Sequence, residues 1–163
     1  MTNQAREVLS DCEAALGSLA DCEYGSEWRR HWVTVLALLR AVGHVLEKVD
    51  SKSSPRMAFI VREQFNLLKR TKPEPRIFWN FIEEERNNVL KEYRISGVHA
   101  SNASSVTFFA GGRNVTASAD GTTHMHVFDR GAFTGRHQVE VAAEAVAWWT
   151  AYLQKVETLA HES

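Results

Sequence analysis

Cysteine is scarce in this chain: only Cys12 and Cys22 occur in 163 residues, both near the N-terminus. The opening stretch MTNQAREVLSDCEAAL has no apolar leader, so the pair reads as reduced thiols of a cytoplasmic protein rather than as a disulfide staple. No apolar run is long enough to cross a bilayer, and no membrane partner is expected. The sequons at Asn102 and Asn114 carry no meaning without secretion. An excess of one charge is also missing. Lys and Arg number 19 against 20 Asp and Glu, a net charge of -1, which excludes a protein that grips nucleic acid through its overall field. A local basic face stays open. P-loop, GxGxxG, GxSxG, paired CxxC and HExxH patterns are all absent, so no cofactor is expected and Ser or Cys nucleophiles have no local support.

What is present suits one folded domain. Hydrophobic residues make up 44% and charged residues 24%, and the length suffices for a core without metal or disulfide. Helical spacing is the dominant pattern. Val8, Leu9, Cys12, Ala15, Leu16 and Leu19 predict a helix from Thr2 to about Asp21. Ser26 is read as the N-cap of a second helix, reaching about Asp50. Its stripe of Trp28, Trp32, Val35, Leu39, Val42, Leu46 and Val49 is wide enough for a central position. Ser54-Pro55 starts a third helix, carrying Phe59, Ile60, Val61, Phe65, Leu67 and Leu68 and ending near Thr71. Lys72-Pro73-Glu74-Pro75 breaks it, and the short link predicts that the fourth helix lies antiparallel beside the third. That fourth helix, Pro75 to Tyr93, is apolar in its first half and charged in its second. A last helix from about Arg136 or His137 carries Val139, Ala142, Ala143, Val146, Trp149, Tyr152, Leu153 and Val156.

Between these helices Ser96 to Gly135 loses the helical period and gains Ser, Thr, Gly and Asn. Gly111-Gly112 and Asp120-Gly121 divide it, predicting a three-stranded antiparallel meander of Ser104–Ala110, Arg113–Ala119 and Thr122–Phe128. The expected fold is therefore mainly α: about five helices in a bundle, with a β insertion at about 101–129 before the last helix.

The chemistry concentrates in Arg86-Asn87-Asn88-Val89-Leu90-Lys91-Glu92-Tyr93. Against the pattern Arg-Asn-x3-His-x-Tyr, this stretch matches at Arg86, Asn87 and Tyr93, with Lys91 at the His position. On those residues the chain resembles the HEPN superfamily, in particular the HepT-like toxins of toxin-antitoxin systems. The resemblance covers the helical core and not the β insertion. It implies a compact helical bundle, a homodimer and metal-independent RNA cleavage by an Arg-His pair. Cleavage through the 2′-hydroxyl needs a base, an acid and positive charge on the phosphate. Arg86 suits the phosphate, but a lysine near its ordinary pKa of about 10.4 is a poor base. The expectation is thus a non-catalytic HEPN-like protein that binds RNA or a macromolecular partner. The alternative is a divergent ribonuclease using Arg86, Asn87, Lys91 and Tyr93. The competing structural reading is an ordinary exposed helix, because Glu83, Asn87 and Lys91 fall on one line at four-residue spacing.

Other basic residues extend the binding expectation. Lys69, Arg70, Lys72 and Arg76 cluster around the third helix end, where capping of the helix dipole accounts for them as well. Arg29-Arg30-His31 is a second cluster. His124 and His126 share one strand face and stand across the Asp120-Gly121 turn from Ala117 and Val115. With His99, Asp129 or His137 they form a weak metal-ligand pattern, and packing histidines are the preferred reading. Adjacent pairs Trp148-Trp149 and Phe108-Phe109 must each place one ring at a margin, which would give the β insertion and last helix a protein-docking patch.

Overall fold

A computed structural model of the chain describes residues 1–22, 25–99, 106–110, 113–117 and 126–162, with 98–99, 106–110 and 113–117 described as backbone. The protein is mainly helical. In order it comprises α1 (Asn3–Ala20), α2 (Ser26–Lys48), a 3-10 turn (Asp50–Ser53), α3 (Pro55–Arg70), a π-helical segment (Ile77–Glu83) and α4 (Glu84–Glu92). Short strands β1 (Val98–His99), β2 (Val106–Ala110), β3 (Arg113–Ala117) and β4 (His126–Val127) follow, and then α5 (Gln138–His161). Among the described residues no helix is long and apolar enough to cross a membrane.

Helix α2 is the centre. Its Trp28, Trp32, Val35, Leu36, Leu39, Val42 and Leu46 are buried, each burial stabilising by roughly 1.5–3 kcal/mol. Val49, the last member of the expected stripe, is exposed beyond the helix end. The helix starts one residue earlier than its expected cap implied: Gly25 is the N-cap and Ser26 is already helical. Helix α3 begins as its sequence requires, with the Ser54 hydroxyl accepting the Met57 N–H at 3.1 Å and proline in the first turn. Two of its apolar residues, Phe59 and Leu67, lie on the outer face and are exposed. It packs on α5 and α2 and not on the segment that follows it, so the expected antiparallel pairing with the fourth helix does not form.

The expected fourth helix is two structures. Ile77–Glu83 is π-helical, and Ile77, Phe78, Phe81 and Ile82 are all buried. Two adjacent apolar pairs at this spacing need a face wider than an α-turn gives, and the wider π-turn supplies it. The α-helix resumes at Glu84 with only Glu85 and Val89 buried.

The first helix is fastened from afar. Asp50, buried in the 3-10 turn, accepts the backbone N–H groups of Gln4 at 3.2 Å and Ala5 at 2.8 Å. It thereby caps donors that Thr2, the local N-cap, leaves unmet. At the same end Arg6 pairs with Glu157 of α5 at 2.6 Å.

Among the described residues the three-stranded meander does not form. Strands β2 and β3 pair antiparallel, from Val106 with Ala117 to Ala110 with Arg113. Of the expected third strand, His126 and Val127 pair with β1 instead, as His99 with His126 and Val98 with Val127. Val115, on the expected middle strand, pairs with Phe108 on one side as that meander requires, but His126 is not its partner on the other. The reason is burial. His126, Val127 and Phe128 are all buried in succession, not alternately. The His126 ring stacks on Trp28 at 4.6 Å, and Phe128 lies 6.2 Å from Trp32 and 6.0 Å from Phe81. Both turn signals, and the Phe108-Phe109 side chains, lie outside what is described.

Candidate functional site: a basic cleft between two helices

On α2 the polar residues Arg40, His44 and Glu47 follow steps of four and three, so they share one face beside the apolar stripe. On α3 Ala58, Arg62, Phe65, Asn66 and Lys69 do the same. These two faces enclose a cleft of about 330 Å³, floored by Phe78 of the π segment and by Trp149 and Tyr152 of α5. Gly43 makes the floor possible. A β-carbon there would stand 2.9 Å from the Trp149 ring, so α2 and α5 approach this closely only with glycine at the crossing.

The charge is one-sided. Arg40, Arg62 and Lys69 line the cleft against a single carboxylate, Glu47, with His44 between them. Arg40 is tied to Glu83 at 3.1 Å, with both side chains mostly covered. Lys69 sits over the Phe65 ring at 4.4 Å. His44 is exposed, yet its pKa is pushed below the ordinary value: partial burial comes first, followed by the positive charge of Arg40. Glu47 and Glu83 oppose the shift, and Arg86 adds to it. Tyr152 has its hydroxyl pushed up to about 12 by burial, so it acts only as a neutral hydrogen-bonding group. Its ring stacks on Trp148 at 5.1 Å and meets Trp149 edge-on.

The motif residues divide around this site. Arg86 is half-buried and donates to the Asn87 side chain at 2.9 Å. Its buried Nε has no hydrogen-bond partner among the described residues. Lys91 does not join it, because five residues along an α-helix turn the side chain by about 140°, and Lys91 is exposed in the last turn. Tyr93 is also exposed. It closes α4 in a left-handed conformation, φ 52°, with its N–H on Val89 and that of Arg94 on Asn88. The ordinary-helix reading fares no better at its first residue, since Glu83 engages Arg40 of α2.

Of the basic cluster, Lys69 lines the cleft. Lys72 lies over Trp79 at 4.9 Å, and Arg76 is held by Glu74 at 3.2 Å. Arg70 is exposed at the end of α3. His126 is packed on Trp28, and His124 lies outside the described residues. Sequence reasoning missed Arg40, His44 and Arg62. The signal was there in α2, where Arg40 and His44 interrupt the apolar stretch from Val35 to Leu46.

No family model, curated protein or solved structure matches this chain.

Proposed function

We propose that the protein is a HEPN-like helical bundle that binds single-stranded RNA in the cleft between α2 and α3, without cleaving it. The observation that carries this reading is the convergence of Arg40, His44, Arg62 and Lys69 over an aromatic floor. Cations that track phosphates and rings on which a base stacks are the two components of single-strand recognition. Phe78 and Trp149 are buried, which leaves the half-buried Phe65 and Tyr152 as the rings within reach of a base. The cleft volume is of the order that holds one nucleotide-sized group. Arg86 does not line the cleft, but its charge acts on His44, and its buried Nε is a donor suited to an anion. The family reading adds a homodimer in the cytoplasm, with RNA bridging two clefts.

Fluorescence anisotropy with a short labelled RNA tests it. Binding should weaken about tenfold in Arg86→Ala and in Lys69→Ala while circular dichroism stays unchanged, since each lost charged contact is worth roughly 1–3 kcal/mol. Equal affinity of both variants and wild type would refute the RNA reading, and preference for duplex DNA would replace it.

One observation favours a catalytic second reading. The imidazole that the motif lacks at Lys91 would come from His44, whose pKa the Arg86 charge lowers. A histidine with a lowered pKa is neutral at pH 7, the form a general base requires. If the protein is a ribonuclease, cleavage of an RNA pool in EDTA should occur with wild type and vanish in His44→Ala. No cleavage by wild type leaves binding alone.

A further inference from the structure

The geometry points to a zinc site at the junction of α1 and α2, formed by Cys22, Glu27 and His31 and remote in function from the cleft. One ligand atom from each (the thiol sulfur, a carboxylate oxygen and an imidazole nitrogen) lies within 4.8 Å of the other two. Glu27 and His31 are one turn apart on α2, with the His31 Nε2 4.0 Å from the Glu27 carboxylate. Cys22 comes from the other side. Its backbone is fixed at the end of α1, where its N–H bonds the Leu19 carbonyl at 3.3 Å. The first turn of α2 is equally set, with the Arg29 N–H on Gly25 at 3.1 Å. Two ligands thus stand on a rigid helix and the third on a closed helix end.

The donor set selects the metal. A thiolate with an imidazole disfavours Mg2+ and Ca2+, which take oxygen ligands, and suits Zn2+, which binds sulfur, nitrogen and carboxylate oxygen in tetrahedral sites. Three protein ligands leave the fourth position to water. Bond lengths near 2.0–2.3 Å place tetrahedral ligand atoms roughly 3.3–3.8 Å apart, so atoms now within 4.8 Å of one another need to draw in by no more than roughly 1.5 Å to close the site. Bound metal would join the end of α1 to the start of α2 and stabilise the folded chain by mass action. Cys12 provides the internal control. It is fully buried, its thiol is pushed up to about 12 by burial, and it donates to the Val35 carbonyl at 3.7 Å.

Titration of the full chain with Co2+, followed by competition with Zn2+, tests this. One Co2+ per chain should bind with a thiolate-to-metal charge-transfer absorption, be displaced by Zn2+, and raise the melting temperature. Cys22→Ser should abolish the absorption, and Cys22→Ser and His31→Ala should each weaken Zn2+ binding at least about tenfold. Cys12→Ser should change neither. Zn2+ affinity equal in wild type and Cys22→Ser, or an absorption lost in Cys12→Ser and kept in Cys22→Ser, would overturn the site.

Discussion

The Arg40 guanidinium meets the Glu83 carboxylate at 3.1 Å, tying the central helix α2 to the last residue of the π-helical segment. This pair does two things. It fixes the segment on which Arg86 follows, and it withdraws one positive charge from the cleft. Glu83→Gln should therefore lower stability by about 1 kcal/mol and tighten RNA binding at low salt, read by chemical denaturation and by anisotropy. A variant that binds more weakly would show that Arg40 acts only when held by Glu83.

His44 should make both stability and binding respond to pH. Its folded-state pKa lies below the ordinary 6.5 because of burial and the flanking Arg40 and Arg86, against the opposing Glu47 and Glu83. Between those two pKa values the unfolded chain binds more protons, so this contribution disfavours the native state as pH falls. An approaching phosphate reverses the local charge balance, and RNA affinity should rise as pH drops from 7 toward 5.5. NMR titration of the His44 ring should give a value below 6.5 in the free protein and a higher one with RNA. The pH-dependent gain in affinity should be lost in His44→Gln.

Much of this was legible in the sequence, and the failures have identifiable causes. The α2 stripe from Trp28 to Leu46 is the core because alternating steps of four and three leave one wide apolar face. The Ser54-Pro55 start of α3 was equally plain, since a cap and a missing donor act locally. Pro75–Tyr93 kept its helical character but not its period. The adjacent pairs Ile77-Phe78 and Phe81-Ile82 pack through a π-turn that a 3.6-residue template does not contain. The third strand was misplaced because Asp120-Gly121 is a hairpin signal by itself, whereas the burial of His126 and Phe128 against Trp28 and Trp32 is a tertiary effect. The motif around Arg86 directed attention along the chain to Lys91. The imidazole on which the Arg86 charge acts belongs to His44 of α2, on a different helix.

Glu157 should dominate one acid transition. Its carboxylate is held at about 2 by hydrogen bonds from Arg6 and from the side chain and backbone N–H of Thr2, against the cost of burial. A depressed acid stabilises the fold above its ordinary 4.5 and loses that contribution as pH falls toward 2. Glu157→Gln should cost about 1–2 kcal/mol at pH 7, after allowing for the partly solvated Arg6, and almost nothing at pH 2. Urea melts at the two pH values check this, and an equal loss at both would contradict it.

Asp50 should matter more than a residue in a short turn usually does. Replacing it with alanine removes the acceptor for the Gln4 and Ala5 N–H groups and should destabilise by about 1–2 kcal/mol, the range for a lost helix cap. Hydrogen exchange should then accelerate first at the start of α1, and unchanged protection there would refute the capping role.

Gly97 should tolerate no side chain. A β-carbon there would lie 2.5 Å from the Gln138 amide nitrogen, which donates to the Ser96 carbonyl at 2.9 Å. The Ser96 N–H in turn bonds the buried Glu85 at 3.1 Å. Gly97→Ala should break this link between α4 and α5 and cost about 1–3 kcal/mol through overpacking and an unmet buried amide. A melting temperature equal to wild type would show that Gln138 has room to turn aside.

The most direct test of the cleft is the salt dependence of RNA binding in wild type and in the double variant Arg62→Ala/Lys69→Ala. Both side chains lie on the exposed side of α3, so the fold should survive their loss. Binding should weaken at least about tenfold, and the log–log salt slope should become shallower by about 1.4 for two lost phosphate contacts on a single strand. An unchanged affinity and slope would place any RNA contact elsewhere and contradict the cleft as the binding site.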